Sequence, residues 1–142
     1  MIWRPGTACE VAVMSGAKFD TRRRALGLSI AEAALVCGGV SERAVNRWIN
    51  NIHRVPNDAW AALDDLEEAM AAAVDRLVAI AEDMTDAGPI VVRRYRTQED
   101  LSASPDDIGI PLGAHAMMTA WLEDALATQN IDTDIVWADE VD

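Results

Sequence analysis

Between Ser29 and Asn50 the chain is punctuated so closely that few backbone paths remain open to it. Ser29 precedes Glu32 by three residues, the spacing of a capping box, in which a serine hydroxyl and a glutamate carboxylate each accept an orphan amide at a helix start. A helix should therefore open at Ile30, with Ile30, Ala33, Ala34 and Cys37 facing inward. Gly38-Gly39-Val40-Ser41 must end it, because glycine takes the positive φ of a C-cap without strain and Ser41 can cap a second helix. That second helix runs from Glu42 to Asn50. Val45, Trp48 and Ile49 fall on its inward side, with Trp48 as a core wedge, while Glu42, Arg43, Asn46, Arg47 and Asn50 fall outward.

The flanking segments extend this pattern. Phe19, Arg22, Arg23 and Leu26 predict a first helix over Lys18 to Leu26, stopped by Gly27. Beyond the polar loop 51–56, Asn57 or Asp58 can cap a long helix reaching Met84. Leu63, Leu66, Met70, Ala73, Leu77, Ile80 and Met84 step along it by threes and fours, a heptad seam that calls for a partner helix. After Gly88-Pro89, the β-branched run from Ile90 to Tyr95 reads as a strand, and Thr97 caps a short helix through Ser102. Ala114 to Ala127 is amphipathic, with Met118, Trp121, Leu122 and Leu126 inward. Ile135 to Trp137 is a second strand, expected to pair with the first because lone strands are marginal in water. The acidic tail after it should be frayed.

The expected fold is mainly α, a helix-turn-helix bundle whose long helix leads to a small α+β dimerisation region. Residues 1–15 form an extension, 16–84 the bundle with its long helix, and 85–142 the second region.

Composition narrows the function. The net charge is −12, which argues against a nucleic-acid binder until it is divided along the chain. Residues 1–55 hold eight basic and four acidic side chains, net +4, and the remainder four basic and twenty acidic, net −16. A basic head on an acidic body meets phosphate with the head and orients itself as it approaches. No apolar run approaches the roughly 18 residues needed to span a bilayer. The apolar part of residues 1–16 is shorter than a signal-peptide core, so a cytoplasmic protein working at the nucleoid is expected. Cys9, Cys37, His53 and His115 lack any paired metal-ligand spacing, and no metal or cofactor is expected. Asp64-Asp65, Glu67-Glu68 and Asp106-Asp107 have no accompanying histidine, lysine or phosphate-cradling loop, so no catalytic residues are assigned.

The chemistry of the exposed helix is suited to bases. Arginine's planar fork matches the two acceptors of guanine, and asparagine matches the adenine edge, so Arg43, Asn46 and Arg47, with Glu42, are the expected base readers. Ser29, Ser41, Asn50, Asn51, His53 and Arg54, at helix ends and in the loop, are the expected phosphate contacts. Leu77, Ile80, Met84, Val92, Tyr95, Trp121 and Trp137 are the expected dimerisation residues.

The stretch Leu28-Ser29-Ile30-Ala31-Glu32-Ala33-Ala34, with Gly38-Gly39-Val40-Ser41-Glu42-Arg43 and Val45-Asn46-Arg47-Trp48, resembles the Cro/XRE class of helix-turn-helix proteins. Its extra turn glycine and the segment Arg54-Val55-Pro56-Asn57-Asp58 are similar to the anti-CRISPR-associated (Aca) autorepressors of the YdiL-like type. Pro89, Arg93 and Tyr95 resemble the strand opening that family's C-terminal region. The resemblance implies a homodimer that represses its own operon by binding an inverted repeat in duplex DNA, with the reader arginine at Arg43. The alternative reading is an antitoxin that keeps the same DNA-binding head while the acidic region after Pro56 clasps a basic protein partner.

Overall fold

Phe19 is the point at which three helices of the head meet. In the computed structural model, which describes residues 15–84 and 88–141, its side chain is fully buried. The ring of Trp48 stands edge-on to it at 5.6 Å and that of Trp60 at 5.8 Å. Edge-to-face contact is the arrangement that ring quadrupoles favour. These three residues belong to α1 (Gly16–Ala25), α3 (Glu42–Ile49) and α4 (Asn57–Glu82), while α2 (Ile30–Val36) completes the head. The expected N-terminal extension and Cys9 lie outside the described residues, as do residues 85–87 and 142.

The expected caps of α2 and α3 are present. Ser29 Oγ accepts from the Glu32 amide and Glu32 Oε1 accepts from the Ser29 amide, closing the box at α2. Ser41 Oγ accepts from the Ala44 amide at the start of α3. Helix α1 begins two residues earlier than expected, at Gly16, because Ser15 caps it by accepting from Lys18 N. Gly16 has to be glycine, since a Cβ there would lie 2.2 Å from the Trp48 carbonyl oxygen. Helix α4 starts after Pro56 without any side-chain cap, so neither Asn57 nor Asp58 plays the part expected of it. Cys37 is half-buried against the head, with its Sγ 3.9 Å from the Ala59 carbonyl oxygen.

The seam of α4 divides in two. Leu63, Leu66, Met70 and Ala73 are buried by the chain's own α1, α2 and α6 (Leu112–Ala127). Further on, Leu77, Ile80 and Met84 remain 36, 58 and 55 % exposed. The first part of the heptad pattern therefore serves the intramolecular core and not a second molecule.

Beyond α4 lie β1 (Ile90–Arg94), α5 (Gln98–Ser102), α6 and β2 (Thr133–Trp137). The strands pair as expected, in parallel, from Ile90 opposite Thr133 to Arg94 opposite Trp137. A parallel pair needs a long crossover, and α5 with α6 supply it. Ile90 and Val92 turn toward the core while Val91 and Arg93 are exposed, the alternation of a half-covered sheet. Thr97 caps α5 by accepting from the Asp100 amide. The tail is not frayed as its acidity suggests. Residues Ala138–Glu140 form a 3₁₀ turn held by Arg96, which pairs with Asp139 at 2.9 Å and Glu140 at 3.1 Å.

Head and body are joined at Glu32. Its Oε2 accepts from the Gly113 amide at 2.8 Å, in the first turn of α6, while Oε1 serves the α2 cap. Gly27 and Gly113 meet at this point. A Cβ on Gly113 would lie 2.0 Å from the Gly27 carbonyl oxygen, and Gly27 itself has φ +77°.

Gly113→Ala should lower the unfolding free energy by about 3 kcal/mol, as overpacking of backbone against backbone does. Glu32→Ala, which strips two helix starts of an acceptor, should lower it by about 2 kcal/mol. Both are read as shifts in urea midpoint at constant m. His115, buried beneath Tyr95, should make stability depend on pH. Burial lowers its pKa, more than Asp106 and Asp107 raise it, and Arg94 lowers it further. The unfolded chain then takes up the proton first, so stability is full above about pH 6.5 and falls as pH drops below that value. His115→Gln should remove this part of the pH dependence in a series of melts.

Candidate nucleic-acid interface

Helix α3 is held on one side by Val45 and Trp48, both buried. At 3.6 residues per turn, Arg43, Asn46, Arg47 and Asn50 share about 100° of arc on the other side, with Glu42 at its edge. Glu42, Arg43, Asn46 and Asn50 are exposed and Arg47 is half-buried. The residues expected to read bases thus lie on one face.

The expected phosphate contacts divide. His53 and Arg54 are exposed in the turn after α3. Ser29 and Ser41 are exposed too, but each hydroxyl already accepts a capping amide. Asn50 Nδ2 donates to the Asn46 carbonyl at 2.8 Å, which engages a donor that a phosphate would need. Asn51 has a structural task that its polarity alone does not reveal. It adopts φ +59°, and its Oδ1 accepts from the Gly16 amide at 2.9 Å, tying the end of α3 to the start of α1. Asparagine's tolerance of the left-handed region, just past a helix end, is the sequence signal for it.

Ion pairing redistributes the charge of the head. Arg22 binds Asp64 at 2.7 Å and Glu67 at 2.9 Å on α4. Arg23 is buried, pairs with Asp20 at 2.7 Å and donates to the Leu28 carbonyl, and Arg24 also pairs with Asp20. The hydrogen bond from Arg23 leads the effects that hold the Asp20 carboxyl below its usual pKa. Lys18 lies over the Trp60 ring, 5.8 Å from its centroid. Arg43, Arg47 and Arg54, by contrast, make no ion pair among the described residues. Among the described residues of the head, the arginines without a carboxylate partner therefore lie on α3 and the turn after it.

The residues expected at a subunit interface are also dispersed. Tyr95 is buried, and its hydroxyl donates to Asp106. Two guanidinium groups lie over the Trp137 ring, Arg94 at 4.8 Å and Arg96 at 4.3 Å from its centroid. Trp121 and Val92 are half-buried against the core. Tyr95 and Trp137 are thus engaged by their own chain, Tyr95 buried and Trp137 half-buried. Leu77, Ile80 and Met84 keep an exposed apolar edge, with Ile108 lining the same groove.

Among the described residues, no group of three or more His, Cys, Asp or Glu side chains is placed to hold a metal ion. No described helix is long and apolar enough to cross a membrane. Compared with known proteins, the chain matches no family model and no curated relative.

Asn51→Ala should cost about 1 to 2 kcal/mol, through loss of the Gly16 amide's acceptor and strain at positive φ. A drop in melting temperature of the free protein would report this structural role.

Proposed function

We propose that the chain is a sequence-specific DNA-binding repressor, autoregulatory, that acts as a homodimer on an inverted repeat. In this reading α2, the Gly38-Gly39 turn and α3 are a helix-turn-helix, with α3 entering the major groove and α2 crossing the backbone. The observation that carries it is the distribution of charge. The arginines of α1 are taken up by carboxylates, while Arg43, Arg47 and Arg54 have none among the described residues.

Solubility alone would not demand such a face. Arg43 and Asn46 have the donors and acceptors to read guanine and adenine, while Arg54 and His53 flank them where a phosphate strand would pass. The acidic body repels the duplex and leaves the head as the favoured approach. The resemblance to Aca-type autorepressors points the same way. Leu77, Ile80 and Met84 are the exposed apolar edge on which a second copy would pack, setting two reading helices one turn of DNA apart, about 34 Å. Repression then results from occlusion of the promoter, and no ligand or cofactor is needed for the basic act.

The test is fluorescence anisotropy on the gene's own upstream region and on shuffled DNA of equal length. Arg43→Ala should weaken binding to the upstream fragment by about tenfold or more and reduce discrimination between the two. Arg54→Ala should weaken both alike and flatten the slope of log K against log salt by about one per protomer. Equal affinity of the intact protein for the two fragments would overturn the reading.

A further inference from the structure

Where α4 outruns the head, its last turns, β1, the 105–108 loop and α6 enclose an apolar groove of about 330 Å³. We propose that this groove is a binding site for an uncharged, largely apolar small molecule carrying one hydroxyl group. Its outer lip is Leu77, Ile80 and Met84, and its floor includes His115, Met118, Thr119, Leu122 and Leu126. The volume lies at the lower end of the range of small-molecule pockets, roughly 300 to 1,000 Å³.

The floor points to a ligand more strongly than the lip does. His115 is only 4 % exposed and lines the groove, yet its imidazole makes no hydrogen bond among the described residues. Its neighbours are already engaged, since Asp106 accepts from the Tyr95 hydroxyl and pairs with Arg93. A neutral imidazole has one donor and one acceptor nitrogen to satisfy. Thr119 Oγ1 donates to the Ala116 carbonyl at 2.7 Å, which leaves its lone pairs open. A hydroxyl group both donates and accepts, so it matches this pair. Arg76, Arg93 and Asp106 also line the groove but are exposed or half-buried, whereas His115, Met118, Thr119, Leu122 and Leu126 are buried. A charged head group held at His115 would therefore lose its hydration, which disfavours acids and amines. The lip by itself would suit a second copy of the chain; the unmatched imidazole beneath it is what calls for a small molecule. The site stands apart from the proposed DNA interface, and its test does not involve DNA.

The probe is 1-octanol, titrated into the full chain and followed by amide chemical shifts, with octanoate and octylamine as comparators of equal chain length. Expected is saturable binding at one site per chain with shifts centred on the floor residues, and about tenfold weaker binding of the two charged comparators. His115→Leu should weaken octanol about fivefold, and His115→Gln should restore most of the loss. If His115→Leu fails to fold, Thr119→Val provides the same comparison. The proposal is overturned if no saturable shifts occur, or if the three head groups bind alike. It is equally overturned if His115→Leu and Thr119→Val both fold and bind octanol as the intact chain does, because the buried floor is then not what holds the ligand.

Discussion

The carboxylate of Glu32 is shared between two helix starts, that of α2 within the head and that of α6 in the body, and the placement of everything beyond α4 depends on it. Each helix start carries unsatisfied amides and the positive end of a helix dipole, so one anion between two of them stabilises both. The approach is close enough only because Gly27 and Gly113 present bare backbone to each other. With that contact fixed, α6 lies along α4 and buries the first part of its apolar seam, while the last turns of α4 are left as one wall of a groove. The same contact joins head to body, although the sequence divides them by charge.

That charge division is sharper in three dimensions than along the chain. Counted by residue, the head has eight cations spread over 55 positions. Folding pairs the three arginines of α1 with Asp20, Asp64 and Glu67, two of which come from the acidic α4. The acidic region is therefore not merely a repulsive counterweight, since part of it screens the side of the head that faces the body. The arginines without a carboxylate partner among the described residues of the head, Arg43, Arg47 and Arg54, lie on α3 and the turn after it, where Asn46 and Glu42 are also exposed.

The legible parts of the fold were those written in local chemistry. The capping box at Ser29 and Glu32, the Ser41 cap, the Thr97 cap and the inward positions of Val45 and Trp48 all derive from spacing and hydrogen-bonding capacity. The exposed face of α3 came from the same periodicity. What escaped were contacts made over long sequence separation. A heptad seam looks identical whether its partner is the chain's own α6 or another molecule, so the intramolecular closure at Leu63 to Ala73 could not be read. The partners that Tyr95 and Trp137 find within the chain were equally hidden, because nothing in their sequence neighbourhood announces Asp106 or the arginines over the indole. Asn51 was assigned by polarity alone, whereas its backbone angle and the distant Gly16 amide decide its task.

The parallel register of β1 and β2 has a consequence for how the protein is made. During translation β1 leaves the ribosome before α5 and α6, and its hydrogen-bonding partner does not exist until Thr133–Trp137 has emerged after them. For that interval a nascent segment of Ile90, Val91 and Val92 stands unpaired, a template for association with other unfinished chains. Pro89 on one side and Arg93-Arg94 on the other are the residue types that discourage such association, so the arginines that later pair with Asp106 and lie against Trp137 also guard the strand while it waits.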